Sequence, residues 1–162
     1  MPRTPASKDD YVIAVGKVVN NATLSEAYMF TAFKIISGCT TPIASAIFYT
    51  LDSIQGKKFL LMRILKEVGD PQDTEYIEAI IEAAKKANNQ RREVAHAVIL
   101  FTTKDGTSPP HEIVSPKSRQ SKPLTKDWLS LLIRHSVEAC TEGYQAFQKL
   151  CEKHGVPAIP EL

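Results

Sequence analysis

The sequence has no apolar run approaching the roughly 20 residues that a membrane-spanning helix needs. Its first ten residues contain no stretch resembling a secretory leader, so the chain is expected to be soluble and to stay inside the cell. Cysteine is scarce: Cys39, Cys140 and Cys151 form no Cys-x-x-Cys pair and no even set. That pattern implies reduced thiols, a cytoplasmic setting and no disulfide scaffold. No glycine-rich phosphate loop is present, neither Gly-x-Gly-x-x-Gly nor a P-loop, so nucleotide binding by that route is unsupported. No histidine stands at metal-ligand spacing from a second ligand; no metal and no cofactor are expected. Excess charge of one sign is also missing. Twenty Lys and Arg against 18 Asp and Glu leave a net charge of +2, so any nucleic-acid contact must come from a local patch.

What the sequence does have is helical periodicity. The 162 residues, 43% hydrophobic, suffice for one domain with a core of its own. The expected division is a loose tail over 1–8, a single helical domain over 9–154 and an extended tail over 155–162. Apolar residues Val12, Val15, Val19, Ala22, Met29, Phe33 and Ile36 recur at steps of three and four, marking a long first helix closed by Gly38. Glu26 interrupts that stripe. Thr41 and Pro42 open a second helix, expected to reach about Ile54 with Ile43, Ala46, Ile47 and Leu51 inward. A third helix is expected over about Lys57 to Val68, after a break at Gly56. The fourth runs from about Thr74 to Ala97, with Ile77, Ile80, Ile81, Ala84, Ala87, Ala95 and Val98 on one side.

Val98 to Thr103 can form a short strand or hairpin before the Asp105-Gly106 turn. Residues 107–126 hold four prolines and several basic residues, which reads as a long surface loop. A fifth helix begins near Thr125 and ends at Gly155. The fold class is therefore all-α: a five-helix bundle with a long first helix and a basic Pro-rich loop or short hairpin before the last helix.

Chemistry concentrates in the segment from Asn88 to His96. On a helical wheel Arg91 falls inside the apolar stripe of the fourth helix, where a guanidinium needs a carboxylate or carbonyl partner. Glu26 interrupts the first helix's stripe, so the two are expected to meet. Such a pair would fix helix register, or orient Arg91 beside a cleft. His96 lies roughly 140° round the helix from Arg91, on the polar face with Lys85, Asn89, Arg92 and Glu93. Arg92 and His96, four apart, are immediate neighbours. Lys85, Arg92, Lys117 and Arg119 are candidate phosphate contacts, although charged helix faces and basic loops are most often merely solvated.

Arg91, the four residues Arg92 to Ala95, then His96 near a helix end resemble the HEPN superfamily (higher eukaryotes and prokaryotes nucleotide-binding domains). The long first helix with its internal acid, Glu26, is also similar to that family. One position departs from its pattern: Arg92 stands where Asn or Asp is typical; a small residue follows the His as in the family, here Ala97, where Gly is common. The resemblance implies a metal-independent endoribonuclease, a toxin or defence effector. In that reading Arg91 and His96 are catalytic, with Glu26, Arg92 and Asn89 in support. It also implies RNA as substrate, a homodimer with the site at its interface, and an antitoxin protein as a partner. The alternative is a non-catalytic helical dimer that binds RNA, a nucleotide or a protein.

Overall fold

A computed structural model describes residues 4–68, 70–100, 112–114 and 121–159. It is an all-α bundle of five helices: α1 (Lys8–Ser37), α2 (Thr41–Phe48), α3 (Ile54–Val68), α4 (Pro71–Ala95) and α5 (Lys126–His154). Three short strands, β1 (Val98–Leu100), β2 (Glu112–Val114) and β3 (Ser121–Pro123), form an antiparallel sheet in sequence order between α4 and α5. Val98 pairs with Val114, and Val114 with Ser121. The expected Asp105-Gly106 turn and most of the Pro-rich loop lie outside the described residues.

Local chemistry sets the helix ends. Ser7 and Asp10 make a reciprocal capping box at the start of α1, each satisfying a backbone N–H of the other. Gly38 stops α1 with φ +64°, the left-handed conformation that glycine adopts without steric cost. The Asp70 carboxylate accepts from Gln72 N at 2.7 Å and Pro71 fills the first turn of α4. Thr125 caps α5 by accepting from Trp128 N, and Gly155 closes it with φ +65°.

The centre is a three-helix core of α1, α4 and α5. Val18 of α1, Val94 of α4 and Leu132 of α5 pack together in one layer. Ala22, Ala87 and Ala139 form the next. The chain numbers fix directions: α1 runs parallel to α5 and antiparallel to α4. Close approach needs small side chains. A Cβ on Gly143 would lie 3.0 Å from that of Ala83, so α4 and α5 could not pack this tightly with a larger residue there. Towards the far end, Tyr28, Phe33, Phe48, Leu61, Ile77, Ile81, Phe147 and Leu150 build the main cluster. Tyr28 stacks on Phe147 with centroids 5.2 Å apart. Each such fully buried side chain contributes on the order of 1.5–3 kcal/mol.

Several sequence expectations are corrected. Helix α2 ends at Phe48 rather than near Ile54, and α3 begins at Ile54 with Gly56 inside its first turn. Ile43 and Ile47 are exposed, while Ala44 and Phe48 point inward. In the first half of α1 the buried stripe is Ala14, Val18, Ala22 and Ser25, so Val12 is exposed. Ala95 is exposed and Val94 takes the inward place. The expected loose tail is partly anchored: Ala6 is buried, its N–H donates to Leu124 O at 3.1 Å, and Lys126 N donates to Thr4 O at 3.0 Å.

Candidate functional site

The last turns of α4 carry the motif. Arg91 stands one turn after Ala87 and three residues before Val94, inside the stripe facing α1 and α5, and is half-buried. Asn89, Arg92, Glu93 and His96 are exposed on the polar side, as the wheel implied. His96 is the C-cap residue of α4, its N–H donating to Arg92 O at 3.3 Å. Arg92 and His96 therefore share one exposed turn, and Arg91 points away from both.

The expected Glu26–Arg91 pair does not form. The Glu26 carboxylate instead accepts from the Lys57 ammonium of α3. Lys57 is buried, and its nitrogen sits 4.9 Å from the Phe48 ring centroid and 5.2 Å from that of Tyr49. The reason is direction. Glu26 lies towards the α2–α3 end of α1, whereas Arg91 faces the Val18–Ala22 level. The partner carried a readable signal: Lys57 is four residues before Leu61 and eight before Leu65, the buried stripe of α3.

Charge compensation separates the basic residues. Lys85 is held by Glu82 at 2.7 Å, and Lys86 by Glu142 at 2.7 Å. Lys126 faces Asp10 at 3.5 Å. Among the described residues, by contrast, Arg91, Arg92 and His96 make no ion pair. Lys117 and Arg119 lie outside the described residues.

Two neighbouring features went unread in the sequence. The Tyr11 hydroxyl donates to Val94 O at 2.7 Å, tying the motif's turn to α1. Asn21 Nδ2 donates to Ser136 Oγ at 3.0 Å, and Ser136 is fully buried. These two residues stand between the Val18 and Ala22 layers, so one polar contact joins α1 to α5 at the level at which α4 presents Arg91.

A second charged cluster lies at the opposite end. Buried Asp73 of α4 accepts from Lys153 at 2.8 Å and from His154 Nε2 at 3.1 Å, and Lys153 also reaches Asp70 at 2.7 Å. Burial alone would raise the Asp73 carboxyl. The hydrogen bonds from Lys153 and His154, with their charges, outweigh it and hold the group below the ordinary value. This arrangement locks the α4 N-terminus to the α5 C-terminus, with each charge at the favourable end of its helix.

Among the described residues no trio of His, Cys, Asp or Glu is placed to hold a metal ion, and no helix is long and apolar enough to cross a membrane. No family model, curated protein or solved structure matches the chain.

Proposed function

We propose that the chain is a HEPN-type endoribonuclease that cleaves RNA without a divalent metal, working as a homodimer in a toxin or defence system with an antitoxin partner. One observation carries the reading. Arg91, Arg92 and His96, clustered at the end of α4, are cations or potential cations without a carboxylate partner among the described residues, whereas Lys85 and Lys86 one or two turns away are neutralised.

The chemistry follows from the residue types. His96 takes the proton of a ribose 2′-OH; the 2′-oxygen bonds to phosphorus and the bond from phosphorus to the 5′-oxygen breaks. The leaving oxygen receives a proton from water or from the protonated imidazole. The products are a 2′,3′-cyclic phosphate and a 5′-hydroxyl, and nothing else is consumed. Arg91 stabilises the added charge on the crowded phosphorus, and Arg92 holds a neighbouring phosphate. Asn89, Lys117 and Arg119 add contacts to the strand; Lys85, already held by Glu82, does not. Arg91 and His96 diverge on one helix, and a paired subunit supplies the convergence.

RNA carrying a single 2′-deoxy nucleotide provides the test. Cleavage should vanish at that position alone, and the fragments should end in cyclic phosphate. Cleavage that continues there would overturn the mechanism. The non-catalytic dimer is favoured by one feature, the half-burial of Arg91 away from His96. RNA binding without any cleavage would establish that reading instead.

A further inference from the structure

The last turn of a helix frays by default, because its final carbonyls have no partner within the helix. Val94 stands in that turn of α4, two residues before His96, and is 1% exposed, so water does not reach its carbonyl. The Tyr11 hydroxyl supplies the missing donor from α1, at 2.7 Å. The Ala97 N–H also points at that oxygen, but from 3.4 Å.

Tyr11 is itself held firmly. Its N–H donates to Ser7 O at 3.2 Å, in the turn that the Ser7–Asp10 capping box closes. It packs against the buried cluster of Ala6, Ala14, Leu124 and Leu129, and Ala97 packs against the same cluster. Val94 for its part packs with Val18 and Leu132. His96 therefore stands between two backbone positions, Val94 and Ala97, each anchored to other elements, while its own side chain is exposed.

We infer that Tyr11 is a positioning residue for His96: its hydroxyl holds the end of α4 so that the imidazole is presented from a fixed backbone. A proton-transfer group must lie within hydrogen-bond reach of the atom it serves, and a displacement of about 1 Å can cost about 100-fold in rate. Phenylalanine would fill the same apolar space, so the hydroxyl serves the carbonyl rather than the packing. The inference rests on the proposed ribonuclease reading for what His96 does, and on the geometry alone for how it is held.

Tyr11→Phe keeps the ring and removes only the hydroxyl. Asp73→Asn is the control, since it loosens the opposite end of α4 without touching this turn. Proton NMR signals of the His96 imidazole, assigned by their loss in His96→Ala, read its placement; RNA cleavage in EDTA reads its use. Tyr11→Phe should shift or broaden those signals and lower kcat about 10- to 100-fold, with KM within about twofold because Arg92 is unaltered. Asp73→Asn should change neither. Unmoved His96 signals in Tyr11→Phe, or a fall in kcat no larger than that of Asp73→Asn, overturn the positioning role. A wild type that cleaves no RNA defeats the ribonuclease reading alone, and the imidazole signals then decide for or against Tyr11.

Discussion

The carboxylate of Glu26 on α1 meets the ammonium of Lys57 on α3, and the rings of Phe48, the last residue of α2, and Tyr49, its C-cap, close over that nitrogen. Three helices are thereby pinned by one ion pair. Its two ends are unequally covered: the Lys57 side chain is 6% exposed and that of Glu26 25%.

The pair should respond asymmetrically to substitution. Glu26→Leu strands a buried charge and should cost about 3–5 kcal/mol. Lys57→Met leaves a carboxylate that still reaches water and should cost less, about 1–2 kcal/mol. The double variant should return close to wild type, since apolar replacements of a buried pair are often neutral. Urea unfolding measures all three. If Glu26→Leu stays within about 0.5 kcal/mol of wild type, the range of ordinary surface changes, the pair has no such role.

Acid should act through Asp73. Its folded pKa lies below the ordinary 3.8, so its contribution is present above that value and lost as pH falls through the folded one. Asp73→Asn should therefore be less stable than wild type near neutral pH. The gap should hold down to about pH 4 and then close. Urea midpoints across that range decide it; a gap that persists unchanged into strong acid would contradict the pairing with Lys153 and His154.

Salt dependence should separate the α4 cations that have no carboxylate partner among the described residues from the neutralised ones. Removing one phosphate contact lowers the slope of log binding constant against log salt by about 0.7 for single-stranded nucleic acid. Arg92→Ala should show that change. Lys86→Ala should not, because its ammonium is already engaged by Glu142. Equal slopes for both variants would remove Arg92 from the RNA contact.

The helices were legible because their punctuation is local: Gly38, Pro42, Thr125 and Gly155 act through backbone geometry within one turn. Inward faces were less so. Val12, Ile43 and Ile47 are apolar yet exposed, while the contacts between helices use Ala14, Ala44, Ser25 and Gly143. Periodicity weighs size and hydrophobicity, whereas close packing selects smallness. Partners were the least legible. Arg91 was placed correctly in its stripe, but which charge meets Glu26 depends on where α2 and α3 cross α1, and that is a tertiary fact. Tyr11 gives no sign in the sequence that its hydroxyl will bond a carbonyl 83 residues away.

The decisive measurement compares wild type with His96→Ala on single-stranded or loop RNA in EDTA. Loops are the better substrate because unstacked nucleotides can adopt the in-line geometry that 2′-OH attack needs. His96 is exposed at the end of α4, so the variant should keep its fold and melting temperature. Losing a proton-transfer group should slow cleavage by about 10²–10⁴-fold. Wild type should cleave RNA, leave DNA intact and lose that activity in His96→Ala. Equal cleavage by the two proteins, or none by either, would contradict the assignment of this turn as a ribonuclease site.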